Sequence, residues 1–188
     1  MANKSKLAKY VHEYLEFELR SVSTGPVSLA ASDLSMEERT LIYKYSEDGY
    51  EIANRSLRKS LGQTHTQFGK FLETTLKKLP DYKGLVYRSA NLSPAELDRY
   101  MKAFEKNTIL VEHSFISAST SYATANMFGG NCKFEMISKT GKQIELYAKY
   151  GLESGQNEYE VLFRPNRKFT VLQVTKMSAH TLIIMEEI

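Results

Sequence analysis

A chain of 188 residues is long enough for one compact domain with its own core. With 42% hydrophobic and 25% charged residues it has the composition of an ordinary globular protein, and its net charge of +3 is too small for a nucleic-acid binder. No apolar run reaches transmembrane length, so no membrane is expected. Met1-Ala2-Asn3-Lys4-Ser5 leads into an amphipathic stretch rather than a signal-peptide core, and a single Cys132 excludes an internal disulfide. A reducing cytosol is the expected working compartment. His12, His65, His113 and His180 are scattered without ligand spacing, so no metal is expected.

Leu7, Val11, Leu15 and Leu19 recur every four residues and predict an opening helix with one apolar face. Residues 21–33, with Gly25-Pro26, read as a loop. Ser35-Met36-Glu37-Glu38 is a capping box, and Leu34, Leu41, Ile42 and Tyr45 give the helix after it an apolar side. A third helix is expected through Ile52, Leu57 and Leu61, and a fourth through Phe68, Phe71, Leu72, Leu76 and Leu79, ending at Pro80-Asp81. Beyond Lys83-Gly84 the pattern shortens to strand-like runs, the first being Leu85-Val86-Tyr87-Arg88. Ser93-Pro94-Ala95-Glu96 starts one more helix, with Pro at its first position and a second capping box. Strands are then predicted at 109–111, 114–119, 133–137, 143–147, 159–163, 169–175 and 181–185. Lys139-Thr140-Gly141 and Met177-Ser178-Ala179 are read as hairpin turns. Helices first and strands later, with one helix inserted, is an α+β pattern. The whole chain, 1–188, reads as a single domain: a helical region over 1–79 and a β-rich core over 80–188.

Three elements carry chemistry. Arg88 ends a strand, where its planar fork suits a pyrophosphate, although a surface salt bridge is the plainer reading of any single Arg. Ser117 and Ser119, in Phe115-Ile116-Ser117-Ala118-Ser119, share one strand face and two hydroxyls that suit a carboxylate or a ribose. A polar strand end leading into a capped helix explains them equally well. Glu158-Tyr159-Glu160-Val161-Leu162-Phe163 sets two carboxylates at the start of an apolar strand, behind the polar loop Leu152 to Asn157. One carboxylate could stabilise a cationic sugar while the other works on a nucleophile. Glu16-Phe17-Glu18 repeats the pattern where a solvated helix face is expected.

In this order and context the three motifs resemble the Arg-Ser-Glu class of mono-ADP-ribosyltransferases, which includes bacterial toxins and effectors, phage enzymes and vertebrate ecto-enzymes. The likeness is good from Tyr82 onward and loose before it, where Ile52, Asn54, Leu57 and Arg58 are faintly similar to the family's N-terminal helix. The resemblance implies two facing β-sheets that form a cleft for NAD, the substrate. Arg88 would contact the NAD phosphates and Ser89 the nicotinamide amide through its backbone. Ser117 would hold Glu160, with Ser119 beside it, and Phe128 would stack near nicotinamide. Glu160 would bind the ribose and stabilise the oxocarbenium ion as nicotinamide leaves. Leu152 to Asn157 would be the acceptor-facing loop.

The resemblance also implies a protein arginine as acceptor, since family members with Glu at the position of Glu158 generally modify arginine. A guanidinium needs a nearby carboxylate to orient it and take up its proton. Ser, Thr, a nucleic acid or water stay open as acceptors. Ala118 stands where the family has Thr, a hydroxyl that is dispensable if the side chain faces away from the cleft. The resemblance also implies a bacterial toxin or effector, and with it an immunity protein that covers the NAD cleft. An NAD glycohydrolase on the same scaffold, or an inactive nucleotide- or partner-binding module, are the alternatives.

Overall fold

The computed structural model describes residues 2–25, 34–152 and 154–188. It falls into two compact units, one formed by residues 1–80 with 144–157, the other by residues 81–143 with 158–188. The boundary near residue 80 is where the sequence pattern changes. The return of 144–157 to the helical unit has no counterpart in that pattern.

In the helical unit the predicted opening helix is two: α1 (Ala2–Tyr14) and α2 (Glu16–Thr24), broken at Leu15, which leaves helical geometry at φ −133° and ψ 30°. The break rotates the buried face, so Leu7, Val11 and Leu15 are followed inward by Glu18 and Val22 instead of Leu19. Glu18 is therefore no solvated residue: its carboxylate meets Lys44 at 2.8 Å. The loop expected over 21–33 begins only after α2, and its residues 26–33 lie outside the described ones.

The Ser35–Glu38 capping box opens α3 (Met36–Lys44) as predicted. A π-helical turn, Tyr45–Gly49, then leads without a break into α4 (Tyr50–Lys59). The extra residue in that turn shifts the inward face of α4 to Ala53, Asn54 and Leu57 and leaves Ile52 58% exposed. Leu61 lies beyond the helix with φ 50° and is exposed, so two of the three expected face residues point outward. The helix α5 (Gln67–Leu76) is capped by Thr66 and buries Phe68, Phe71, Leu72 and Leu76 as expected.

The sheet unit holds seven strands and two helices. In chain order they are β1 (Tyr82–Ala90), α6 (Pro94–Glu105), β2 (Ile109–Glu112), β3 (Ile116–Ser119), α7 (Tyr122–Met127), β4 (Cys132–Gln143), β5 (Glu160–Phe163), β6 (Arg167–Lys176) and β7 (Thr181–Glu187). The strand order is β1-β3-β5-β4-β7-β6-β2, and β1 also pairs with β4. The two sheets implied by the resemblance are thus joined in one hydrogen-bonded network, with β1, β3, β5 and β4 closing a ring. Only β4 and β7 run parallel. The core between the sheet and α6 contains Val86, Phe134, Met136, Val161, Phe163, Phe169 and Ile183, with Tyr100 and Ala103 from α6.

The structure corrects two turn and strand expectations. Lys139-Thr140-Gly141 is not a hairpin: β4 continues through it, with a register shift against β1 between Ser138 and Gly141, and Gly141 is needed for close approach. A Cβ there would stand 2.6 Å from Ser138 Oγ and 2.7 Å from Val161 Cγ1. Residues 144–147 are not a strand either, because the chain leaves the sheet at Gln143 and turns, burying Ile144, Tyr147 and Ala148. The Met177–Ala179 hairpin is present, closed by the Met177 amide donating to the His180 carbonyl at 2.8 Å.

Candidate active site

Strand pairing brings the motifs together inside the sheet unit. Register sets Tyr87 of β1 opposite Ser119 of β3, and Ser119 opposite Glu160 of β5, so three motifs far apart in sequence meet on adjacent strands. Arg88 Nη1 donates to the Ser117 carbonyl at 2.6 Å, which fixes the guanidinium beside β3. Ile116 and Ala118 face the core while Ser117 lies on the other side of the strand. Ala118 is therefore packed among apolar side chains, and a threonine hydroxyl there would face the core.

Glu160 is 5% exposed, with the Ser117 hydroxyl donating to its carboxylate. Burial pushes its pKa up from 4.5 to about 7, opposed by the Ser117 hydrogen bond; nearby Glu158 raises it further and Arg88 lowers it. Burial also raises the half-buried Glu158. Burial and the Glu158 charge thus favour the protonated form of Glu160, while the Ser117 hydroxyl and the Arg88 guanidinium favour its anion.

The two glutamates do not both sit on the strand. β5 begins at Glu160, and Tyr159 between them has a left-handed backbone, φ 51°, unusual for a bulky residue. This kink removes the strand alternation that the sequence implied for Glu158 and Glu160. It is pinned from β3: Ser119 Oγ donates to the Glu158 carbonyl at 2.7 Å and accepts from the Ser121 amide at 3.0 Å, and the Thr120 amide donates to the Tyr159 carbonyl at 3.0 Å. The hydroxyl of Ser119 is thus occupied in holding the backbone of the Glu158–Glu160 turn.

Ser89 lies near the end of β1 opposite Lys133 of β4. Phe128 follows α7 and is 61% exposed. The loop after it is tied to the end of β1 by side-chain amides: Asn131 Oδ1 accepts from the Leu92 amide at 2.8 Å, and Asn91 Oδ1 accepts from the Asn131 amide at 3.1 Å. Gly130, at φ 119°, passes so close to Ala90 that a Cβ would lie 2.6 Å from its carbonyl. Sequence reasoning did not assign these asparagines, although the Gly129-Gly130 pair marks the tight approach. It also missed the cluster on the α7 side of β1, where Tyr87 packs edge-on against Tyr122 at 5.3 Å and Lys133 lies 5.9 Å from the Tyr122 ring centroid. Among the described residues no group of His, Cys, Asp and Glu could hold a metal ion, and no helix is long and apolar enough to cross a membrane.

This fold, with a buried glutamate beside an Arg-bearing strand and a serine strand, is the fold of ADP-ribosyltransferases. Its coordinates match exoenzyme S from Pseudomonas aeruginosa, solved with human 14-3-3 protein beta and carba-NAD, at a TM-score of 0.74 and 17% identity, covering 100% of this chain and 89% of that one. The chain belongs to the ADP-ribosyltransferase exoenzyme family, whose model matches residues 4–188.

Two relatives sharpen the comparison. Vis of Vibrio splendidus, which carries the name of an NAD(+)–arginine ADP-ribosyltransferase, is 30% identical over 84% of this chain and 67% of its own length. A structure of Vis in complex with agmatine matches with a TM-score of 0.67 and 25% identity, over 98% of this chain and 85% of that one. Tre1 of Serratia proteamaculans, an NAD(+)–protein-arginine ADP-ribosyltransferase by name, is 31% identical over 78% of this chain. The chain spans only 31% of the length of Tre1.

Proposed function

We propose that the protein is a mono-ADP-ribosyltransferase that splits NAD+ and transfers ADP-ribose to an arginine side chain, acting as a bacterial toxin or effector. The observation that carries the reading is the buried Glu160, hydrogen-bonded by Ser117, with Glu158 beside it across the Tyr159 kink. The names of Vis and Tre1 and the agmatine bound to Vis support arginine as the acceptor, since agmatine ends in the same guanidinium.

In this reading Arg88 takes the pyrophosphate of NAD+, Ser89 and Phe128 meet the nicotinamide end, and Ser117 and Ser119 hold the catalytic turn. Glu160, as the anion, binds the ribose next to nicotinamide. As the bond between ribose C1′ and the nicotinamide nitrogen breaks, the bonding pair leaves with nicotinamide and Glu160 stabilises the positive charge left on the sugar. An arginine nitrogen then bonds to C1′, and Glu158 takes the proton it loses. Glu158 has an upward-shifted pKa, which strengthens it as the base in that step.

Such a protein acts in a cytosol, where NAD+ is present, and a cell that produces it needs an immunity protein against its own enzyme. The test uses purified protein, tagged NAD+ and either agmatine or bacterial and eukaryotic lysates. Labelled agmatine and discrete protein bands, lost in Glu160→Ala and in Glu158→Gln, are the expected result. Release of nicotinamide with no labelled acceptor would make it a glycohydrolase. Neither activity in a folded protein would overturn catalysis altogether.

A further inference from the structure

We propose that Ser46 and Glu47, on the π-helical turn of the helical unit, are positioning residues for transfer to the acceptor. They anchor the segment 144–157, whose chain runs directly into Glu158. The proposal rests on the arginine-transfer reading above and adds a residue pair to it.

The turn is a built feature. π-helical turns are rare and concentrate at functional sites. This one is fenced by Lys44, whose ammonium meets both Glu18 and Asp48 at 2.8 Å. It also needs Gly49, where a Cβ would stand 2.8 Å from the Lys44 carbonyl and 3.0 Å from the Phe68 ring. Two consecutive residues of the turn grip a single residue of the segment. Ser46 Oγ donates back to the Tyr43 carbonyl at 2.9 Å and accepts from the Lys149 amide at 2.7 Å. The Glu47 carboxylate takes the Lys149 ammonium at 2.5 Å. That pairing raises the lysine's pKa, in keeping with a firm contact.

From Lys149 the connection continues to Glu158 through defined contacts. The Tyr147 and Ala148 amides donate to the Ile144 carbonyl at 2.8 and 3.0 Å, and the Leu152 amide to the Glu145 carbonyl at 3.2 Å. Gly151 makes that closure feasible, because a Cβ there would stand 1.8 Å from the Glu145 carbonyl oxygen. Asn157 Nδ2 donates to Glu145 Oε2 at 3.0 Å and closes the segment one residue before Glu158. Releasing Lys149 therefore loosens the N-terminal side of the Glu158 turn. Glu160 is held from β3 by register and by Ser117, which do not involve the anchor. The anchor should then govern the acceptor step and spare cleavage of NAD+ by water.

The experiment measures transfer of tagged ADP-ribose to agmatine and release of nicotinamide without acceptor, in wild type, Ser46→Ala, Ser46→Thr, Glu47→Gln, Lys149→Gln and the Glu47→Gln/Lys149→Gln double variant. Ser46→Ala, Glu47→Gln and Lys149→Gln should each lose about fivefold or more in transfer, the size expected of a small misplacement of a reacting group. Nicotinamide release and the KM for NAD+ should stay within about twofold. The double variant should lose no more than the worse single one, and Ser46→Thr, which keeps the hydroxyl, should restore transfer. Transfer and release falling in equal proportion would mean a purely structural contact and overturn the proposal, as would unchanged transfer in variants that melt like wild type. A wild-type protein that releases nicotinamide yet labels no agmatine and no protein would sink the arginine reading itself, and the anchor's role with it.

Discussion

Two strands of the same sheet unit each bury a glutamate, and they do so in opposite electrostatic settings. At the end of β7, Glu187 is 1% exposed, and its carboxylate accepts from the Lys139 and Thr140 amides at 2.7 Å and from the Thr140 hydroxyl. At the start of β5, Glu160 is nearly as buried, with the Ser117 hydroxyl against its carboxylate and a second carboxyl nearby that opposes its charge. The first environment supplies three donors and stitches β7 to β4. The second burdens the anion and keeps the proton near neutrality. Burial alone does not mark a reactive carboxylate: the supply of donors around it decides.

The largest effect should come from removing the charge at Glu160. Glu160→Gln is isosteric and leaves the Ser117 hydroxyl an oxygen to donate to, yet it removes the anion that the proposed mechanism sets against the sugar cation. Nicotinamide release should fall by about 10³-fold, the scale of losing a principal electrostatic stabiliser. Glu158→Gln should lose about 10²-fold in transfer to agmatine, the range of general-base catalysis, while retaining most of the release into water. Parallel assays of release and transfer check both. Equal losses of release and transfer in Glu158→Gln would merge the two glutamates into one function.

Glu187 should respond in stability instead. Glu187→Ala leaves two part-buried amides and a hydroxyl without their acceptor, and should cost about 2 kcal/mol in urea unfolding. The turnover of protein that remains folded should be unchanged. A Glu187 variant with wild-type stability and reduced turnover would reverse the roles of the two glutamates.

How much of this comparison is legible in sequence depends on whether its causes are local. The capping boxes at Ser35–Glu38 and Ser93–Glu96 are written in four consecutive residues and form as read. Arg88, Ser117, Glu158 and Glu160 stand out through motif order, and strand register brings them together. The Tyr159 kink is invisible, because nothing in Glu158-Tyr159-Glu160 requires a positive φ; contacts from Ser119 and Thr120, some forty residues earlier, impose it. Gly141 reads as a turn and is a close approach to Val161 of another strand, so the length of β4 was hidden. The π-helical turn has no pattern of its own, and without it the faces of α4 were read wrongly at Ile52 and Leu61. Glu187 gives no signal at all, since its donors lie on a strand whose course was itself misread.

The pKa of Glu160 gives the smallest and sharpest tests. Because kcat/KM reports the free enzyme, nicotinamide release should climb about tenfold per pH unit below about 7 and level off above it, as the carboxyl ionises. Stability should move the other way. The folded pKa of about 7 lies above the unaltered value of 4.5, so between them the folded state holds a proton that the unfolded chain has lost. The stabilisation is fully present below about 4.5 and is lost as pH rises through about 7. Gln carries no charge at any pH, so Glu160→Gln should unfold at higher urea than wild type at pH 8, by on the order of 2 kcal/mol, with the gain shrinking to nothing near pH 4.5. A gain independent of pH would attribute the strain to packing rather than charge, and the contrast with Glu187 would then rest on shape and not on donors.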